Sequence, residues 1–90
     1  MPKVQNGIIE ITGTGNIVSE EISITAIQVI ASADNSECRL NDKDGVDVAI
    51  FISDETNLRS FAPLYLGGKT VKGLECGVYT NIEKIIVHLG

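Results

Sequence analysis

Few side chains of this chain are imidazoles or thiols that can act as a nucleophile, a general base or a metal ligand, and they are scattered along it. His88 is the only histidine, and Cys38 and Cys76 are the only cysteines. His88 stands between Val87 and Leu89 near the C-terminal end, and no nucleophile or orienting carboxylate has a spacing that defines a catalytic triad. We therefore predict no catalytic residue and no enzymatic activity, and we interpret His88 as a surface or interface residue.

The two cysteines are too few for a disulfide framework and too far apart in sequence for a local metal-binding motif. Each stands among alternating apolar residues, which is typical of small, reduced core side chains. A bridge between two strands remains the alternative, and it requires the Cα atoms of Cys38 and Cys76 to lie within roughly 7 Å.

A carboxylate-rich segment, Asp42-Lys43-Asp44-Gly45, resembles half of a calcium-binding loop. If Gly45 held the sixth position of such a loop, Leu40 would hold the first and Phe51 the twelfth, and neither side chain offers an oxygen ligand. We predict a hairpin turn and no metal site, while adventitious calcium binding by the carboxylates of Asp42, Asp44 and Asp47 stays an alternative.

The charge balance limits the possible partners. Twelve acidic and seven basic residues give a formal net charge of −5, and the basic residues are scattered singly. Without a basic stripe, binding to nucleic acid or to an anionic membrane is disfavoured. No apolar stretch approaches the ~20 residues of a membrane-spanning helix. Gly13-Thr14-Gly15 lacks the remainder of a phosphate-binding loop, so we expect a turn there and no cofactor.

Short apolar segments rich in Ile and Val occupy most of the sequence, separated by turn-forming residues, and this pattern predicts strands. We predict one domain over residues 1–90, all-β, with a small antiparallel β-sandwich or jelly-roll-like fold of about seven to eight strands. The predicted extended segments are Gly7–Gly13, Ile17–Ala33, Glu37–Leu40, Val46–Ser53, Leu58–Leu66, Thr70–Tyr79 and Glu83–Leu89.

Further predictions concern four glycines and the segment Ser19–Ala33. Gly67-Gly68 is expected to separate two strands, and Gly73 and Gly77 are expected at bulges or bends. Ser19–Ala33 has a helix-like start, but its interior is rich in β-branched residues, which lose rotamer freedom in a helix. We favour a strand for this segment.

Several predicted strands are apolar on both faces, which is more than a sandwich of this size needs. Large exposed apolar patches usually mark contact sites. We therefore predict a homo-oligomer whose interface is formed by the second apolar face of these strands, with the residues Ile8, Ile9, Ile27, Val29, Ala31 and Ile86.

The order of segments is similar to that of small β-sandwich structural proteins of phage virions. The matching segments are Cys38–Val46 with its Asp-rich turn and glycine, Phe61–Leu66 with a proline, Gly73–Cys76, and the last aliphatic strand Ile85–Leu89. Together with the strands that flank them, they extend this similarity over about two thirds of the chain.

The resemblance implies a non-enzymatic capsid decoration or cement protein, commonly a homotrimer, which binds the major capsid protein or another virion protein. Its acidic surface suits the outer shell, away from packaged DNA. The N-terminal residues 1–6 lack the apolar core of a signal peptide, so we expect synthesis in the host cytoplasm and location in the virion, without secretion. Alternatives are a minor head or tail component and a carbohydrate-binding module with Tyr65 and Tyr79 as aromatic platforms.

Overall fold

The computed structural model describes residues 3–5, 7–53 and 61–90, and in these ranges the regular structure is β-strand throughout. Seven strands follow one another along the chain, with polar turns between most of them. Their bounds are β1 Lys3–Gln5, β2 Ile8–Ile11, β3 Gly15–Ala31, β4 Ser36–Asn41, β5 Asp47–Ser53, β6 Leu64–Thr80 and β7 Ile82–Leu89.

All seven strands belong to one sheet with the order β1-β2-β7-β3-β6-β4-β5. Every ladder between neighbours is antiparallel. The prediction of an all-β, antiparallel fold is confirmed. The finer prediction of a two-sheet sandwich or jelly roll is not confirmed, because the ladders connect all strands into one continuous sheet.

The two longest strands, β3 and β6, pair with different neighbours along different parts of their length, which lets the sheet fold over on itself. The first part of β3 pairs with β6 and its last part pairs with β7, while the last part of β6 pairs with β4. The inward faces then enclose a single apolar cluster. Its buried members are Ile9, Ile11, Ile24, Ile27, Val29, Cys38, Leu40, Ala49, Phe51, Val71, Leu74, Cys76, Ile82, Ile85 and Val87.

An irregularity at Thr25 changes the face that β3 turns toward the core. The ladder with β7 runs from the pair Ile24 and Leu89 directly to the pair Ala26 and His88, so Thr25 is an extra residue. One extra residue reverses the alternation of side chains. Ile24 and Ile27 are therefore both buried, although residues i and i+3 of a regular strand point to opposite faces.

The predicted break at Gly67-Gly68 is wrong, because β6 continues through both glycines. The chain bends there instead: both glycines have positive φ, and three residues of β6 stand opposite the single residue Thr25. Only glycine adopts these backbone conformations at low cost, so the two glycines bend the strand and do not end it. The first part of the predicted segment Leu58–Leu66, up to residue 60, lies outside the described residues.

The other local predictions agree with the structure. Gly77 is an extra residue between the pairs that join β4 to β6, and Gly73 lies at a register shift with a φ of 86°. β3 is a strand and not a helix. The predicted hairpin is formed by β4 and β5 around the turn at residues 42–46.

Candidate functional site

The turn of the β4–β5 hairpin is organised by the carboxylate of Asp42. Its Oδ1 accepts hydrogen bonds from the backbone N–H groups of Asp44 and Val46, both at 2.9 Å. The Asp42 carbonyl also accepts one from Gly45, which has a positive φ of 83°. The carboxylate thus stabilises the loop itself. Among the described residues there is no group of three or more His, Cys, Asp or Glu side chains able to hold a metal ion.

Both cysteines are buried, unbonded thiols on the inner face of the sheet. The pKa of Cys38 is raised to about 12, mainly by burial and to a smaller extent by the neighbouring Cys76 and Glu37. Burial also raises the pKa of Cys76, whose Sγ lies 3.4 Å from the carbonyl oxygen of Val78. A thiol held in its neutral form is a poor nucleophile, so these residues act as core side chains.

Four of the six predicted interface residues lie in the core of the chain itself. Ile9, Ile27, Val29 and Ala31 are at most 2% exposed. The interface drawn from the sequence is corrected accordingly: these side chains point inward because each strand turns one face to the core, and the neighbouring positions carry the outward face. Ile8, which is 37% exposed, and the half-buried Ile86 lie on the outward face.

The most exposed apolar row lies on β5 and the residue before it. We call Val46, Ile50 and Ile52 the β5 stripe; Val48 is half-buried and packs against the core cluster. Val46, Ile50 and Ile52 are 62%, 43% and 59% exposed, whereas Ala49 and Phe51 on the opposite face are buried. Sequence alternation predicted that Val46, Val48, Ile50 and Ile52 share one face, but it could not show which face is outward, and the extra residue at Val48 removes that side chain from the exposed row.

The position of β5 adds to the exposure of this stripe. Among the described residues, β5 pairs with one neighbour only, β4, and it ends the sheet. Opposite Ile50 and Ile52 stand Arg39 and Glu37. The Nε of Arg39 lies 2.8 Å from Oε2 of Glu37, and both side chains are partly exposed. The stripe therefore has an open strand edge on one side and an ion pair on the other.

A second surface lies on the outward face where β3, β6 and β7 run side by side. Tyr65 and His88 stand on either side of Ala26 in the two ladders. Nε2 of His88 lies 2.8 Å from Oε1 of Gln28. These residues line a shallow depression of about 400 Å³, which we call the outer depression: Thr25, Ala26, Gln28, Pro63, Tyr65 and His88.

The structure thus brings two predicted residues together, His88 and the candidate platform Tyr65. It separates them from Tyr79, whose hydroxyl donates to the carbonyl oxygen of Glu83 at 2.7 Å. Gln28 and Pro63 were not predicted to lie at this surface. The sequence could not have indicated this, because the ladders that bring these residues together connect segments that are distant in sequence.

Comparison with known proteins assigns no role to either surface. No family model matches the chain, and no curated protein or solved structure shows significant similarity to it. In the part of the chain that the structure describes, no helix has the length and apolar character needed to span a membrane.

Proposed function

We propose that this chain is a non-enzymatic structural module that assembles with copies of itself through the β5 stripe, with a trimer as the expected form. The observation that carries this proposal is the exposure of Val46, Ile50 and Ile52 on a strand that ends the sheet. An apolar row of this kind in water is stabilised when a partner covers it.

The strand edge favours a partner that is itself β-structured. An edge strand presents unpaired N–H and C=O groups, and proteins usually protect such edges with charges, prolines or bulges. The segment from Val48 to Ile52 has little of this protection: it is five consecutive apolar residues with neither a charge nor a proline, and its one irregularity in the ladder with β4 is an extra residue at Val48. Its strong β-propensity makes uncontrolled pairing a hazard, and a closed ring of identical subunits removes that hazard.

The surroundings of the stripe also fit a subunit contact. Protein interfaces commonly have an apolar centre and a polar rim. The ion pair of Arg39 with Glu37 supplies such a rim beside Ile50 and Ile52. An exposed pair of this kind adds little stability, about 0 to 1 kcal/mol, but it restricts which orientation of the partner is tolerated.

We assign this assembly to the outer surface of a phage virion, as a decoration or cement protein that contacts the major capsid protein or another virion protein. The support is the similarity of segment order to small phage β-proteins, together with the formal net charge of −5. An acidic module is repelled by packaged DNA and is better placed outside the shell. A minor head or tail component is the second position compatible with the same features.

The oligomer is tested by light scattering of the purified chain at several concentrations. We expect a mass of three subunits for the wild type and of one subunit for the double variant Ile50→Lys/Ile52→Lys. The matched control is Ile8→Lys, which places the same charge on the other exposed apolar surface and should leave the trimer intact. A monomeric wild type at micromolar concentration, or a mass altered only by Ile8→Lys, would contradict the assignment to β5.

The virion assignment needs a separate measurement. Purified protein is mixed with phage capsids that lack it, and the capsids are sedimented. Saturable co-sedimentation with intact shells supports a decoration protein, and binding only to tails or to isolated vertices supports the minor-component alternative. No association with any virion part would remove this assignment and leave the oligomer result unaffected.

A further inference from the structure

The outer depression has the composition of a small ligand site. Its six lining residues include no Asp, Glu, Lys or Arg, so polar and apolar groups dominate its surface. Its volume of about 400 Å³ lies in the range of about 300 to 1,000 Å³ that is common for small-molecule pockets. The absence of charged side chains contrasts with the acidic composition of the whole chain.

The aromatic ring at its border is exposed to an unusual degree. Tyr65 is 77% exposed, whereas Phe51 is buried and Phe61 packs against it with a centroid distance of 5.5 Å. Aromatic side chains normally bury a large apolar area, and an exposed tyrosine offers an apolar face with a polar tip. Pro63, whose saturated ring is also apolar, lines the same depression.

The opposite border carries hydrogen-bonding groups that are already oriented. His88 and Gln28 fix each other at 2.8 Å across β3 and β7. Thr25 donates to the backbone carbonyl of His88 at 2.9 Å, which ties the same two strands together. Among the described residues, the amide nitrogen of Gln28 has no protein partner, so it is available to an incoming acceptor.

We propose that the outer depression binds a neutral sugar ring. A pyranose has an apolar face of C–H groups and a rim of hydroxyls, and the depression pairs an exposed aromatic face with uncharged donors and acceptors a few ångströms away. Tyr65 stacks on the C–H face, and Gln28 and His88 bind the hydroxyl groups. This proposal goes beyond the structural role, and it does not depend on the β5 stripe, with which the depression shares no residue.

The first test is a titration of the ¹⁵N-labelled full chain with methyl glycosides of glucose, galactose, mannose and N-acetylglucosamine. We expect saturable chemical-shift changes at the Gln28 side-chain amide and at the backbone amides of Ala26 and Tyr65, with at least one of these sugars. If none of the four produces a saturable change at these positions, the proposal is overturned.

Variants of the stacking residue make the test specific. Tyr65→Ala should weaken binding about tenfold, which corresponds to roughly 1.4 kcal/mol, while Tyr65→Phe keeps the ring and should stay within about twofold of the wild type. Because Tyr65 is exposed, Tyr65→Ala should preserve the remaining spectrum and thus the fold. Binding that survives Tyr65→Ala unchanged would overturn the assignment of this residue and the site with it.

The polar border has its own pair of variants. Gln28→Ala should weaken sugar binding, because it removes both the free amide donor and the partner of His88. Tyr79→Phe is the matched control, since it removes the hydroxyl of the only other tyrosine, which is bonded to Glu83 away from the depression. An equal loss in both variants would indicate a general change in the protein and would contradict the proposed site.

Discussion

The hydroxyl of Thr25 donates a hydrogen bond of 2.9 Å to the backbone carbonyl oxygen of His88. This bond spans the place where β3 has one residue more than β7. The extra residue lets Ile24 and Ile27 both face the core, so the ordinary alternation of a strand is shifted by one position in its second part. Ile24 and Ile27 therefore both belong to the core of the chain itself.

We expect Thr25→Val to lower the free energy of unfolding by about 0.5 to 1.5 kcal/mol, the usual net contribution of one hydrogen bond. Valine preserves the branched shape and removes only the donor. Urea denaturation measures the difference. Thr14→Val is a suitable control, because Thr14 is an exposed turn residue; an equal loss there would show that the bond at Thr25 is not the cause.

Ile27 should prove to be a core residue and not an interface residue. Ile27→Ala should cost about 2 to 5 kcal/mol, as is usual when a fully buried aliphatic side chain is truncated. Ile52→Ala should change the unfolding free energy by less than about 0.5 kcal/mol in dilute solution, where copies are separate. Thermal denaturation of both variants decides this. Equal stability of the two variants would contradict the inward orientation of Ile27.

Gly73 should not accept a side chain. Its φ is 86°, and a Cβ atom there would lie 3.0 Å from the carbonyl oxygen of Val18 and 3.3 Å from Cβ of Lys43. We expect Gly73→Ala to destabilise the fold by about 1 to 3 kcal/mol, since the left-handed conformation is costly for alanine. Gly13→Ala is the matched control: it has open space around it, and the substitution should be neutral or slightly stabilising.

The carboxylate of Asp42 should stabilise the β4–β5 turn. Asp42→Ala removes the acceptor of two backbone hydrogen bonds, and we expect a loss of about 1 to 3 kcal/mol in denaturant titration. Asp42→Asn keeps a side-chain oxygen and should lose less. Asp44→Ala, in the same loop, should have little effect because the Asp44 side chain is exposed. Addition of calcium should not alter these differences if the carboxylate serves the turn alone.

The buried thiols should make stability fall at high pH. The pKa of Cys38 is raised from 9.0 to about 12, so the unfolded chain releases this proton at a lower pH than the folded chain does. The folded state then binds more protons, and stability decreases as the pH rises from about 9 toward 12. Chemical denaturation at about pH 8 and about pH 10.5 measures the decrease.

Cys38→Ala is the control for this pH dependence, because other groups also titrate in the same range. Its stability should fall less between the two pH values than that of the wild type. An identical decrease in both proteins would show that the Cys38 thiol contributes nothing to it. Labelling with a thiol reagent at neutral pH should be slow in the folded wild type for the same reason, since the thiolate is the reactive form.

Several features could be predicted from the sequence alone: the strand content, the hairpin around Asp42, the bulges at Gly73 and Gly77, and the buried state of Cys38 and Cys76. These features depend on neighbouring residues: alternation of side chains, turn chemistry and glycine conformation act over a few positions. The sheet order, the continuation of β6 through Gly67 and Gly68, and the shift at Thr25 were decided by the tertiary structure, because each depends on which distant strand supplies the hydrogen bonds. For the same reason only the fold could show that Ile27 and Val29 point inward while Ile50 and Ile52 point outward, and that Tyr65, Gln28 and His88 share one surface.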